Sequence, residues 1–124
     1  MDRKHLILFG ALLAVLAGGL LLFAAPAKPR SVIHIITVQW KADASQAQID
    51  KAIEAVGTMN YPGLKNVWTK PIKMQLPEGY KSIIVMEFDS ENALKRYADS
   101  DAQKKWYEVY MPLREESRTH DVTN

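Results

Sequence analysis

The chain has no cysteine. That absence excludes disulfides, thiolate nucleophiles, cysteine-ligated metals and an acylated N-terminal cysteine. Stability must come from packing or from oligomerisation. An excess of one charge is lacking too. The net charge is +2, and residues 28–124 alone carry 14 basic and 13 acidic side chains. With no basic stripe interleaved with aromatics, there is no electrostatic footprint for nucleic acid. G-x-S-x-G, a glycine-rich phosphate loop and H-E-x-x-H are all missing, as are internal repeats and low-complexity tracts. His34, His120, Asp121 and Glu87 do not have the spacing of a metal site. Neither a metal nor an organic cofactor is expected. At 124 residues the chain is long enough for one domain and not two.

A long hydrophobic run occurs once, at residues 6–25, behind the positive charges of Arg3 and Lys4. This is the layout of an export signal, with Ala25 and Ala27 as small residues before a cleavage point at Lys28. The run is also long enough to cross a bilayer once. Residues 1–27 are therefore expected to be a signal peptide or a single transmembrane anchor, and residues 28–124 a folded domain. Both readings place the domain outside the cytoplasm, because positive charge precedes the run. The expected location is periplasmic or extracellular, with residues 6–25 as the alternative inner-membrane anchor.

The folded part opens with V-I-H-I-I-T-V-Q-W at residues 32–40, a β-branched stretch free of Gly and Pro. Alternation puts Val32, His34, Ile36, Val38 and Trp40 on one face and Ile33, Ile35, Thr37 and Gln39 on the other. Ser45 and Gln48 match a capping box, and Ile49, Ala52, Ile53 and Val56 form the stripe of a helix ending near Gly57. Asn60-Tyr61-Pro62-Gly63 signals a turn. A strand over residues 64–69 follows, with Leu64, Asn66 and Trp68 facing one way and Lys65, Val67 and Thr69 the other. Residues 80–88 read as a third strand. Asp89-Ser90-Glu91 starts a helix edged by Leu94, Tyr97 and Ala98. Ser100 and Gln103 offer a second capping box for a helix with the stripe Trp106, Val109, Tyr110 and Leu113. Arg114, Glu115, Glu116 and Arg118 read as a solvated charged segment, and residues 118–123 as a short last strand.

The order β-α-β-β-α-β, with the second helical unit broken in two, is a split βαβ, ferredoxin-like α+β arrangement. It puts helices on one sheet face and leaves the other to be covered, most simply by a second copy. V-I-H-I-I-T-V-Q-W, Y-P-G-L-K-N-V, G-Y-K-S-I-I-V-M-E-F and S-E-N-A-L-K-R-Y, in that order, resemble the stress-responsive α/β-barrel (Dabb) domain over about residues 32–122. The resemblance implies a homodimer in which two ferredoxin-like units pack sheet to sheet into an α/β barrel.

It also implies a pocket between the sheet and the helices. In a plant polyketide cyclase of that family, a histidine three residues into a helix is the general base, assisted by a tyrosine on the preceding helix. Those positions correspond to Gln103 and Tyr97. Further pocket positions fall on His34, Ser82 and Asp121. Glutamine cannot accept and return a proton near neutral pH, so the cyclase reaction is not expected here. The expected pocket takes a small apolar or aromatic molecule. It is lined by His34, Ile36, Val38, Ser82, Ile84, Met86, Tyr97, Gln103, Trp106 and Asp121, with His34 as polar anchor.

His34 is either a proton-transfer group or a buried imidazole satisfied by a carboxylate such as Asp121. Tyr97 is either a pocket hydroxyl or a core aromatic. Trp106 and Tyr110 have the helical spacing of core, with ligand stacking as the other option. Three functions follow. The first is an exported protein that binds a small molecule without catalysis. The second is a cofactor-independent enzyme, cyclase- or monooxygenase-like, using His34 and Tyr97. The third is a purely structural dimer at the membrane surface.

Overall fold

The computed structural model describes residues 30–124. The expected signal or anchor lies outside the described residues. Four strands and three helices follow in order: β1 (Val32–Trp40), α1 (Gln46–Gly57), β2 (Leu64–Trp68), β3 (Ser82–Phe88), α2 (Glu91–Tyr97), α3 (Asp101–Tyr110) and β4 (Arg114–Thr123). The sheet order is β2-β3-β1-β4, with every neighbouring pair antiparallel. This is the ferredoxin-like arrangement, with β1 and β3 central.

Local chemistry explains the helix starts. Ser45 accepts from the Gln48 N–H at 3.2 Å while Gln48 Oε1 accepts from the Ser45 N–H at 2.9 Å, completing the box that opens α1. Ser90 caps α2 by accepting from the Ala93 N–H. At α3 the second box closes differently. Ser100 accepts from the Gln103 N–H, but Gln103 Oε1 reaches one residue further back and accepts from the Asp99 N–H at 2.7 Å. Asp99 sits at φ 63, in the left-handed region between the two helices. The side chain of Gln103 thereby ties α3 to the bend that separates it from α2.

Apolar stripes decide the packing. Val56 of α1, Ala93 and Tyr97 of α2, and Trp106 and Tyr110 of α3 are buried against Ile36, Val38, Ile84, Met86 and Phe88 of the central strands. Trp106 stacks on Tyr110 at 4.3 Å and 11°, and its Nε1 donates to the Ala52 carbonyl at 3.0 Å. The stripe of α3 is therefore core, with its one buried indole donor satisfied.

Two edge features depart from the sequence reading. The register of β2 shifts between Leu64 and Asn66. The extra residue brings Val67 opposite Met86 and Trp68 opposite Val85. Leu64 and Val67 thus share the helix side, while Asn66 and Trp68 face the other way, reversing the expected partition beyond Leu64. β4 starts at Arg114, so the charged segment is strand, with Glu115, Glu116 and Arg118 solvated as expected. Strand pairing with β1 along nearly its whole length outweighs a composition with little intrinsic preference for sheet.

The sheet face away from the helices carries Ile33, Ile35 and Thr37 of β1 and Ile83, Val85 and Glu87 of β3. Half-exposed Trp68 and Val122 lie toward its two edges. The Arg118 guanidinium covers the Tyr80 ring at 5.0 Å. Four aliphatic side chains thus line the middle of a face that, among the described residues, no helix packs against.

Candidate functional site

The strand pairing brings His34 and Asp121 side by side. The two residues are register partners on the helix side of β1 and β4. Their side chains join through Nδ1 and Oδ1 at 2.5 Å, with His34 15% and Asp121 49% exposed. Phe88 packs edge-on to the imidazole at 6.4 Å. The histidine is thus held from one side by a carboxylate and from another by an apolar ring. Its Nδ1 is already engaged, which leaves Nε2 as the nitrogen available to a visitor. His120 pairs with Ile35 on the opposite sheet face and takes no part.

A cavity of about 420 Å³ opens beside this pair. It is lined by Val32 and His34 of β1, Leu94 and Tyr97 of α2, Gln103 of α3 and the Asp121–Thr123 end of β4. Ala98 completes an apolar wall, and Glu91 and Lys95 stand among the lining residues as exposed charges. Of the ten expected pocket residues, the fold gathers four here: His34, Tyr97, Gln103 and Asp121. Ile36, Val38, Ile84, Met86 and Trp106 do not line this space. All five belong to the core cluster, because the helix stripes press directly on that part of the sheet. Ser82 is elsewhere again. Its Oγ accepts from Trp40 Nε1 at 2.8 Å, and it lines a separate cavity of about 670 Å³ toward the far end of β1, with Lys41 and Lys81. The sequence did carry Val32, Leu94 and Ala98 on the correct faces. It also carried the break between α2 and α3, with Ser100 as the new cap; what it could not supply was that this break leaves space beside those residues.

Tyr97 shows its ring and not its hydroxyl. The hydroxyl is buried without a hydrogen-bond partner, and the ring lies against Phe88 at 5.2 Å and Tyr61 at 5.7 Å. Burial pushes the phenol well above its ordinary value, with Tyr107 and then Tyr110 adding to the rise. Phe88 touches both the imidazole and the Tyr97 ring, so an aromatic side chain stands between the two groups proposed as an acid–base pair. Among the described residues, no three His, Asp or Glu side chains converge as a metal site would require.

The sheet order, the helices on one face and this cavity define a ferredoxin-like α+β domain. The family model for the Stress Responsive A/B Barrel Domain (Dabb) matches residues 32–124, and the chain belongs to that family. No curated protein matches the sequence. Solved structures share the fold. A dimeric ferredoxin-like protein of unknown function from Thermobifida fusca has a TM-score of 0.66 at 16% identity, covering 82% of this chain and 97% of its own. A hydroxynitrile lyase from Passiflora edulis has a TM-score of 0.68 at 19% identity, covering 78% and 95%. A cofactor-independent oxygenase from Streptomyces nogalater has a TM-score of 0.60 at 10% identity, covering 77% and 93%. The same architecture thus carries enzymes and proteins of unknown function, and the site has to decide for this chain.

Proposed function

We propose that this is an exported homodimeric Dabb protein that holds a small apolar or aromatic molecule in the His34 cavity without transforming it. One observation carries the reading. Apart from the exposed charges of Glu91 and Lys95, the polar side chains expected to act here are already paired or hidden: His34 with Asp121, Gln103 with the Asp99 N–H, and the Tyr97 hydroxyl inside the core. What remains is an apolar enclosure with Nε2 of His34 as a single anchor, which suits retention better than proton shuttling. The position expected to hold a general base is occupied by a glutamine engaged in helix capping. Export rests on the N-terminal charge and hydropathy pattern. The homodimer rests on the aliphatic sheet face and on solved relatives described as dimeric.

A second reading, a cofactor-independent enzyme built on His34 and Tyr97, draws on one fact. A carboxylate orients the imidazole as it would orient a general base. Native mass spectrometry of the chain purified gently from its own host tests the first reading. A dimer with a defined extra mass, lost in His34→Ala, supports it. An empty monomer overturns it. Turnover of a retained compound that vanishes in both His34→Ala and Tyr97→Phe, with the fold intact, selects the enzyme instead.

A further inference from the structure

The chain enters the fold at the wall of the His34 cavity. Val32, a lining residue, lies two positions after Arg30, the first described residue. Ser31 between them is fixed on two sides. Its carbonyl accepts from Thr123 Oγ1 at 3.0 Å, and Thr123 is itself part of the lining. Its side chain also helps, after Asn66, to hold the Glu87 carboxyl below the usual range.

The uncharged run ends at Ala25, so six residues, Pro26 to Ser31, separate it from the cavity wall. Fully extended, they span about 20 Å. The polar layer on each side of a bilayer takes up roughly 6 Å of that. Two of the six connector residues, Lys28 and Arg30, are cationic, the charge that anionic headgroups attract. The larger cavity, by contrast, lies toward the Trp40 end, about 27 Å away along β1. A third cavity lies between the end of α1 and α3, and of the three only the His34 cavity has Val32 and Thr123, the residues next to the connector, in its lining. Partly exposed Leu94 and exposed Ala98 lie in its lining.

We infer that residues 6–25 remain in the membrane and that the His34 cavity takes its ligand from the adjoining leaflet. The ligand is a single-chain amphiphile whose hydroxyl or carbonyl meets His34 while its apolar body lies along Val32, Leu94 and Ala98. This rests on the binding reading above and adds the source and class of the molecule. It also gives a role to the short connector, which keeps the cavity at the bilayer surface instead of releasing the domain into bulk solvent.

The test uses the full chain in vesicles of phosphatidylethanolamine and phosphatidylglycerol that contain hexadecanol bearing a diazirine and an alkyne. Photolabelled peptides are mapped by mass spectrometry, and binding of water-soluble 2-naphthol is measured on the same preparation. Labelling is expected on the peptides holding Leu94 to Ala98 and Val122 to Thr123. In Leu94→Trp, which fills the space, it should fall roughly tenfold, the ratio that about 1.4 kcal/mol supports. A flexible insert of about 20 residues after Ala27, with an r.m.s. reach of roughly 25 Å, should lower cavity labelling while leaving naphthol binding unchanged. If naphthol binds and hexadecanol does not label the cavity, the membrane source is overturned and the binding function stands. If neither occupies the cavity, both fall. Host-purified protein beginning at Lys28 overturns the tether outright.

Discussion

Replacing Gly63 with alanine should be among the more damaging single-methyl changes in the domain. Gly63 has φ +92, and an added Cβ would stand 2.7 Å from the Cβ of Ala93. Ala93 is fully buried on α2, so the helix and not a flexible side chain would have to move. The left-handed backbone costs a residue with a Cβ about 1–2 kcal/mol. Forced overpacking adds about 1–3 kcal/mol. The expected loss of roughly 2–5 kcal/mol corresponds to a Tm drop on the order of 10–20 °C for a domain of this size. Two other glycines calibrate the experiment. Gly79 has φ +89 but would meet only the amide of Gln39, at 3.0 Å, so its alanine variant should lose about 1–2 kcal/mol. Gly57 meets nothing nearer than 3.8 Å and ends a helix, so alanine there should be neutral or slightly stabilising, by up to about 1 kcal/mol. Thermal and urea denaturation at one fixed protein concentration measures all three, because dimer stability depends on concentration. A Gly63→Ala Tm within about 2 °C of the parent, or a greater loss at Gly79 than at Gly63, would refute the close approach of α2 to this turn.

Other substitutions probe the site and the open face. Tyr97→Phe should leave stability unchanged or raise it by about 1 kcal/mol, because an unsatisfied buried hydroxyl is removed; a loss above about 2 kcal/mol in urea would mean the hydroxyl has a partner. The folded phenol ionises above its ordinary value of 10.0, so unfolding releases a proton at high pH. Stability should therefore be intact below pH 10 and fall above it by up to about 1.4 kcal/mol per pH unit, with a shallower fall in Tyr97→Phe. His34→Ala should cost about 1–2 kcal/mol, since its partner Asp121 is half exposed and can rehydrate; an urea titration showing more than about 4 kcal/mol would make the pair a structural keystone. Val85→Lys, in the middle of the aliphatic sheet face, should convert a dimer to a monomer in sedimentation velocity, and an unchanged dimer would place the interface elsewhere.

Where a residue's partner lay within one element, the sequence revealed it. The capping box of α1, its stripe and the alternation along β1 all depend on neighbours a few positions apart. Features that depend on distant partners were hidden. Asn66 and Val67 exchange faces because β2 absorbs an extra residue against β3. Arg114 to Ser117 become strand because β1 is long enough to pair with them. Parity along β1 correctly aligned His34 with Ile36 and Val38, but it could not say that helices fill the middle of that face and leave space only toward its ends. Hence four of the expected site residues share a cavity, Ser82 lies at another, and five are core. The pairing of His34 with Asp121 was legible as a possibility from chemistry alone, and the antiparallel register between β1 and β4 made it a contact.

The bend at Asp99 limits what this scaffold can become. Its left-handed backbone depends on an N–H acceptor, and the side chain that supplies it, Gln103, also lines the cavity. A lineage or an engineer seeking to install an imidazole at residue 103 would remove that amide oxygen in the same step. The accessible order of change is therefore constrained: a new cap for the bend must come first, and reactivity second. A hidden structural duty of this kind can keep a site from acquiring new chemistry even where the substitution needed is a single one.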